Sequence, residues 1–185
     1  MKQIENFEKV EASTGEFESL PAGGYICRIA NVEDVPFNVN TNKGDYLKIE
    51  FDIAEGKFTR YYMDAALRND GKWWGSFIRS YKEKAQGMFK HFINCVEESN
   101  VGYKWDWQEK SLESKVIGLV LGEEEYRKND GSIKIRLAVK DIKTVQQIKD
   151  GDFKIPALKK LAPADSAAKD SFFFETVDEA ELPFN

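Results

Sequence analysis

The chain has 185 residues, of which 42% are hydrophobic and 32% are charged, and its formal net charge is −5. This length fits one domain with tails or at most two small domains, and no apolar run is long enough to span a membrane, so we expect a protein without membrane partners. The N-terminal residues are too polar for a signal peptide, and only two cysteines are present, which predicts a reducing, cytoplasmic location.

The acidic charge is concentrated near both ends. Residues 1–20 are Glu-rich and are expected to form a loosely held arm, whereas residues 21–160, the expected domain, carry slightly more Lys and Arg than Asp and Glu. The composition resembles a linker after Pro156, and residues 161–185 are predicted to form a flexible acidic tail. A mildly basic body suits a protein that holds an anionic polymer, but ordinary charge scatter would give the same small excess.

The first part of the expected domain predicts three strands. A turn at residues 21–24 precedes the first strand, Tyr25 to Val32, and a polar loop at residues 38–44 precedes the second, Tyr46 to Ala54. The second strand alternates strictly, so its core-facing residues are predicted to be Leu47, Ile49, Phe51 and Ile53. Glu55-Gly56 predicts a tight hairpin into the third strand, Phe58 to Met63.

A helix and a second hairpin are predicted to follow. The helix is expected to begin near Phe77 and to end at Ser99-Asn100-Val101-Gly102. Its apolar stripe consists of Phe77, Tyr81, Ala85, Met88, Phe89, Phe92, Ile93 and Val96. The fourth strand is predicted from Lys115 to about Glu123, and the Asn129-Asp130-Gly131 turn leads into the fifth, Ser132 to Asp141. The fifth strand is expected to point Ile133, Ile135, Leu137 and Val139 inward.

Three strands, one helix and a final hairpin follow one another in the order of the OB fold. That fold is a mainly β, five-stranded barrel, and its helix lies between strands three and four. Closing the barrel would leave no exposed strand edge. A generic α+β sheet with one helix fits the same order of elements and remains the alternative.

The residues needed for enzymatic chemistry are scarce. His91 is the only histidine and lies on the flank of the helical stripe, while Cys27 and Cys95 are expected to be buried apolar residues. Glu123-Glu124-Glu125 could be imagined as an acid/base or metal cluster, but neighbouring strand residues point to opposite faces, so a solvated hairpin edge is favoured. Glycine-rich phosphate loops are absent. We therefore expect no enzyme, no metal and no cofactor.

The residues needed to hold a single strand of nucleic acid are more abundant. Such proteins combine aromatic faces for bases with basic side chains for phosphates in one groove. On strand two, Tyr46 and Lys48 are predicted to face outward. On strand three we expect Phe58, Arg60 and Tyr62 to face outward, because the opposite phase would bury Arg60. The reverse assignment would place these two aromatic side chains in the core.

Further candidates lie in the loops that border an OB-fold groove and on the last strand. They are Lys43 in the first loop, Trp73 and Trp74 after strand three, Tyr126 and Arg127 at the last hairpin, and Lys134 and Arg136 on strand five. At least one of the two neighbouring tryptophans is expected to pack against the domain. Trp105 and Trp107 have fewer basic neighbours and are predicted mainly to pack.

The last eight residues, 178–185, are acidic and close on an apolar segment. The candidate partner-binding residues are Asp178, Glu179, Glu181, Leu182, Pro183 and Phe184. The segment resembles the C-terminal tip of bacterial and phage single-stranded-DNA-binding proteins, although here Asn185 follows the phenylalanine. A tail of this kind would dock into a basic pocket with an apolar floor, whereas the alternative is an ordinary acidic terminus.

Several short motifs along the chain resemble those of phage-encoded single-stranded-DNA-binding proteins from phages of Gram-positive bacteria. They are Gly23-Gly24-Tyr25 with Ile29, Gly44-Asp45-Tyr46-Leu47, Lys104-Trp105-Asp106-Trp107, Glu124-Glu125-Tyr126, Asp130-Gly131, Ile155-Pro156 and Lys159-Lys160-Leu161. The resemblance implies an OB fold and a role in coating single strands during phage DNA replication and recombination, in the cytoplasm of the bacterial host. None of the motifs is itself a nucleotide-contact signature.

The sequence therefore predicts a protein that binds single-stranded DNA without sequence preference and whose acidic tail recruits replication or recombination proteins. The alternative is a protein-interaction module, such as a recombination mediator or an inhibitor of a host enzyme, without strong affinity for DNA. The oligomeric state is left open, and a homo-oligomer is one alternative.

Overall fold

The computed structural model describes residues 18–161 except positions 42 and 129, and within them the chain is mainly β. Five strands form one antiparallel sheet: β1 (Gly23–Val35), β2 (Tyr46–Ile53), β3 (Ser76–Ser80), β4 (Val116–Arg127) and β5 (Ile133–Lys143). Their order across the sheet is β3-β2-β1-β4-β5. The predicted closure into a barrel is wrong for this structure, because β3 and β5 remain the two edges of an open sheet.

The central strand β1 divides its pairing between two neighbours. Its residues 23–28 pair with β4, and its residues 27–35 pair with β2, with an irregularity between Ile29 and Asn31. Because a bulge bends a strand and increases its twist, one long strand can belong to two differently oriented halves of a sheet. β1 is therefore the strand that the two halves of the sheet share.

The alternation predicted for β2 is confirmed, since Leu47, Ile49, Phe51 and Ile53 are all buried. These side chains share the core with apolar residues of β1 and β4 and with one face of α2 (Gln86–Ser99). The predicted end of this helix is confirmed at Ser99. Cys27 and Cys95 are buried free thiols within the same core, as expected.

The predicted third strand, Phe58 to Met63, is wrong, and so is the hairpin at Glu55-Gly56. A turn with Gly56 at φ 91° leads instead into α1 (Tyr61–Arg68). The Asp52 carboxylate accepts hydrogen bonds from the backbone N–H groups of Tyr62 and Met63, at 2.9 and 3.2 Å. These N–H groups have no partner within a helix, so an acceptor at this point favours a helix start over a strand.

The true third strand lies where the start of the long helix was predicted. Phe77 belongs to β3 and points into the core opposite Ile49, so it is not part of the helical stripe. A short 3-10 helix, Glu83–Ala85, precedes α2. Of the four residues that α2 buries, Phe92, Ile93 and Val96 belong to the predicted stripe, whereas Cys95 does not.

The last hairpin is longer than predicted and extends beyond the rest of the sheet. Gly23 is the first residue of β1 and pairs with Leu121, whereas the pairing of β4 with β5 continues to Arg127 and Ile133. Val139 is buried and Leu137 packs partly against the core, but Ile133 and Ile135 are 51% and 55% exposed. The inward placement predicted for these two isoleucines is therefore wrong, because no strand lies beneath the end of the hairpin among the described residues.

The predicted start of the domain at residue 21 is one residue too late, whereas the predicted end at residue 160 already includes the sheet contacts of Lys159. Leu20 belongs to the core, so the domain begins within the stretch that was predicted to be a loose arm. After α3 (Val145–Lys149), the segment 150–161 packs along the sheet, and it is named the strap here. The backbone of Lys159 in the strap bonds Glu123 O and Glu125 N of β4 at 3.0 and 2.9 Å. The linker predicted after Pro156 is therefore attached to the sheet at least as far as this pairing.

Candidate nucleic-acid interface

The outer face of β2 and β3 carries part of the predicted binding surface. Tyr46 and Lys48 lie on this face, directly opposite Ser80 and Ile78. Lys48 forms an ion pair with Glu50 at 3.1 Å. Tyr46 keeps only 9% of its surface exposed, so it offers little ring surface to a base in this conformation.

The structure breaks up the predicted trio on strand three. Tyr62 is buried against Phe51, at 5.3 Å between ring centroids, and burial raises its pKa well above the ordinary value for tyrosine. Phe58 is half-buried and meets the edges of Tyr25 and Tyr61 at 6.4 and 6.2 Å. Both aromatic residues therefore belong to the packed interior, which was the reverse assignment left open by the sequence.

Arg60 does not join these aromatic residues in a binding surface. It precedes α1 in a left-handed conformation, with φ 66°, and its exposed side chain lies 3.8 Å from Asp64. Arg60 is exposed, as predicted. A turn followed by a helix replaces the predicted strand, however, and separates the three side chains without a two-residue period.

The two neighbouring tryptophans have different environments. Trp73 packs partly against the core, and its Nε1–H donates to Gly75 O at 3.1 Å. Trp74 is 40% exposed and precedes β3 by two residues. The expectation that at least one of the pair packs against the domain is confirmed, and Trp74 is the more exposed of the two.

The loop between β1 and β2 presents apolar side chains that the sequence analysis did not select. Lys43 closes this loop, since its carbonyl accepts from Asn38 N at 2.7 Å. Phe37 and Val39 are exposed on the same loop. An aromatic and an aliphatic residue inside a polar loop, outside any periodic pattern, were the signal that could have identified them.

The β4–β5 hairpin brings together the predicted residues Tyr126, Arg127, Lys134 and Arg136. Tyr126 pairs with Lys134 across the ladder, and the Arg136 guanidinium lies over the Tyr126 ring at 5.1 Å. Arg127 Nη1 donates to Gly131 O at 3.3 Å, which ties this side chain to the turn. Tyr126, Lys134 and Arg136 therefore share one face of the hairpin, whereas Arg127, which pairs with Ile133, lies on the other face.

Glu124 is buried beneath this surface, which corrects the prediction of a solvated glutamate edge. Only 6% of Glu124 is exposed, and its carboxylate binds Arg136 Nε at 2.8 Å together with Lys140 Nζ. Burial raises the pKa of Glu124, but the hydrogen bonds from Lys140 and Arg136 outweigh burial and hold the pKa below its ordinary value. Arg136 therefore stabilises the hairpin through its ion pair with Glu124 and is only partly exposed at the surface.

Cys95 Sγ lies 3.7 Å from His91 Nε2, which brings one thiol and the histidine together. Burial raises the pKa of both thiols, that of Cys95 to about 11, which leaves them protonated at neutral pH. His91 lies at the flank of α2, where its Nε2 is 2.9 Å from Ile142 O. Within the described ranges, no three His, Cys, Asp or Glu side chains come close enough together to hold a metal ion.

The candidate tail residues 178–184 lie outside the described residues. Trp105 packs against the core as predicted, whereas Trp107 is almost fully exposed, so the packing prediction for Trp107 is wrong.

Among the helices described here, none combines the length and the apolar character needed to cross a bilayer. Comparisons with protein-family models and with curated proteins found no match.

Proposed function

We propose that this protein binds single-stranded DNA without sequence preference and acts in phage DNA replication or recombination. The observation that carries the proposal is the projecting β4–β5 hairpin. Between residues 126 and 136 it carries four cations against one carboxylate, Asp130. Arg127, Lys128 and Lys134 are exposed at its end.

The hairpin combines the two kinds of contact that a single strand requires. Exposed cations neutralise phosphates and release counterions, which provides affinity without sequence preference. Ile133 and Ile135, on the opposite face of the ribbon from Lys134, offer apolar surface to unstacked bases. A duplex hides its base faces, so this combination favours single strands over duplex DNA.

The topology supports an OB-type arrangement, which we propose in an open form. β1 is the centre of the sheet and pairs with β4 through its first half and with β2 through its second. α2 lies between β3 and β4 in the chain, as the OB fold requires. Closure would require only that the edges β3 and β5 meet. In that arrangement the outer face of β2 and β3 and the final hairpin would border one groove.

A second candidate function rests on the same exposed isoleucines. An apolar pair on a projecting hairpin is also suited to contact another protein, and the body carries only a small excess of positive charge. The protein would then be an interaction module without strong affinity for DNA. The two functions differ in the salt dependence of DNA binding, because only phosphate neutralisation gives a steep dependence.

The test is a binding titration with oligo-dT and with a duplex of equal length. We expect oligo-dT to bind more tightly and its affinity to fall steeply as NaCl rises from about 50 mM to about 300 mM. Tighter binding of the duplex, or an affinity that does not change with salt, would reject the proposal and favour the interaction module.

We further propose that residues 178–184 recruit replication or recombination proteins. Phe184 and the preceding Leu-Pro would fill an apolar pocket while the acidic residues meet a basic rim. In a pull-down with purified replication and recombination proteins of the host, Phe184→Ala should abolish capture, whereas Asn185→Ala should leave it intact. Equal capture by the parent protein and by Phe184→Ala would contradict this role.

A further inference from the structure

Trp107 is held in an unusual conformation with its ring in solvent. Its φ is 64°, a left-handed conformation that bulky residues rarely adopt, and 83% of the residue is exposed. Burial of the indole cannot explain the conformation. Strained residues that the surrounding structure holds in place are concentrated at functional sites, so this residue merits a functional explanation.

A network of hydrogen bonds fixes the loop around Trp107. Asp106 Oδ1 accepts from Gln108 N at 3.2 Å and from Ser111 Oγ at 2.7 Å. Ser111 Oγ also lies 2.8 Å from Tyr103 Oη. The conformation is therefore fixed by hydrogen bonds of the residues next to the indole, and the ring itself contacts Trp105 at 6.1 Å between centroids.

The loop is also attached to α2. Glu97 accepts from Lys104 Nζ and from Trp105 N, both at 2.9 Å. A rigid aromatic side chain loses little conformational entropy when a ligand covers it, which makes it an effective anchor. The exposed ring is therefore prepared for contact before any ligand arrives.

A chain of polar contacts joins this loop to the outer face of β2. Lys48 pairs with Glu50, whose Oε2 accepts from Asn31 Nδ2 at 3.2 Å. Asn31 Oδ1 in turn accepts from Lys110 Nζ at 3.2 Å, and the same ammonium donates to Val32 O at 2.6 Å. Lys110 follows Trp107 by three residues, so this chain of contacts connects the loop that carries Trp107 with the face that carries Lys48.

We infer that Trp107 stacks on a base and extends the path of the single strand from the outer face of β2 across β1 to this loop. The inference rests on the proposed function and adds a residue to it. Lys104 and Lys110 lie on either side of Trp107 in the chain, and both side chains are largely exposed while their ammonium groups pair with Glu97 and Glu113. An aromatic face beside cations is the combination that sequence-independent single-strand binding uses.

The experiment compares the affinities of the parent protein and of variants for oligo-dT of increasing length. Stacking of one base implies that Trp107→Ala weakens binding of a long oligonucleotide by about five- to about 150-fold. Trp107→Phe should retain most of the affinity because it keeps an aromatic face. Val101→Ala, which alters another fully exposed apolar residue, is the matched control and should bind like the parent protein.

Trp107→Gly separates binding from folding. Glycine adopts the left-handed conformation readily, so this variant should melt at the same or a higher temperature than the parent protein while it binds the long oligonucleotide more weakly. A parent protein that binds oligo-dT together with a Trp107→Gly variant that binds equally well would overturn the inference and leave the proposed function standing. A parent protein that binds no oligonucleotide would overturn both.

Discussion

At the scale of single residues, the chemistry of Glu124 shows why burial decides the role of a charged side chain. Three consecutive glutamates in a sequence indicate a solvated edge, because only segments distant in the chain could bury one of them. In the structure the central one lies between Arg136 and Lys140, and the backbone of Lys159 from the strap pairs alongside it. No local sequence pattern predicts a partner 12 or 16 residues away. The sequence analysis therefore assigned Arg136 to DNA binding and did not predict its ion pair with Glu124.

The first prediction concerns this ion cluster. Glu124→Gln removes the charge that neutralises two cations, and breaking a buried pair in this way typically destabilises a protein by about 3 kcal/mol or more. Since the pKa of Glu124 is lowered in the folded state, its contribution to stability is present above its unfolded pKa, about 4.3. The contribution is lost as the pH falls through the folded value.

Urea unfolding at several pH values measures this effect. The difference in the free energy of unfolding between the parent protein and Glu124→Gln should be largest near neutral pH and should shrink on acidification below about pH 4. Glu123→Gln is the control, because its side chain is exposed and a surface substitution changes stability by less than about 0.5 kcal/mol. A difference that stays constant with pH would contradict the assigned role.

At the scale of elements, β2, α2 and the final hairpin were predictable, whereas the third strand was not. β2 alternates because one of its faces is buried along its whole length, and the sequence carries that signal directly. Phe58, Arg60 and Tyr62 also recur at a period of two, but the carboxylate of Asp52 on the preceding strand accepts the first N–H groups of a helix there. Asp52 lies ten residues before Tyr62, so local periodicity did not report the interaction.

The second prediction reverses an expectation drawn from the sequence. Tyr62 was assigned to the binding surface, whereas the structure places it in the core beside Phe51. Tyr62→Ala should therefore destabilise the protein by about 3 kcal/mol or more, as large-to-small core substitutions of aromatic residues do. Thermal melting measures the effect, and Tyr62→Phe, which keeps the ring, should be much closer to the parent protein. If Tyr62→Ala melted at the same temperature as the parent protein, the assignment of Tyr62 to the core would be contradicted.

The third prediction tests how the strap is attached to the sheet. A Cβ added at Gly24 would lie 2.5–2.8 Å from ring atoms of Phe153, so Gly24→Ala must displace that ring. Overpacking of this kind typically costs about 1–3 kcal/mol. Gly87→Ala on α2 is the matched control, because no atom lies within 4 Å of the added methyl group and alanine favours a helix by about 1 kcal/mol.

Opposite changes in melting temperature are therefore expected for these two glycine-to-alanine variants. Phe153→Ala in the Gly24→Ala background should lower the melting temperature less than Phe153→Ala alone. The reason is that the methyl group at position 24 has already displaced the Phe153 ring from its packing site. Additive effects of the two substitutions would show that the strap does not rest on Gly24.

At the scale of the whole molecule, the order of elements was a better guide than their boundaries. A mainly β domain with one long helix before a final hairpin followed from the sequence and is confirmed. The predicted closed barrel is wrong, because closure requires pairing between β3 and β5. These strands are distant in the chain, and no local sequence pattern reports whether their edges pair. The attachment of the strap and the exposure of Trp107 were also missed, since both depend on contacts between distant segments.

The same scale explains why only part of the candidate site was identified. The hairpin residues Tyr126, Arg127, Lys134 and Arg136 were predicted together and lie together, because a hairpin is a local structure. Phe58, Arg60 and Tyr62 were also predicted together, but they do not lie together, because the strand predicted to carry them is a turn and a helix. Local elements therefore carried the correct part of the interface, and long-range packing decided the rest.

The most direct test of the account is the salt dependence of oligo-dT binding by a hairpin variant. Replacing Arg127, Lys128 and Lys134 by Ala together should weaken binding at low salt and lower the salt slope by about one unit for each lost phosphate contact. Lys149→Ala, an exposed lysine on α3, should keep the slope of the parent protein. Folding of the hairpin variant is checked by its melting temperature. A parent protein with a steep slope that the triple substitution lowers would support the account, whereas an unchanged slope and affinity would contradict it.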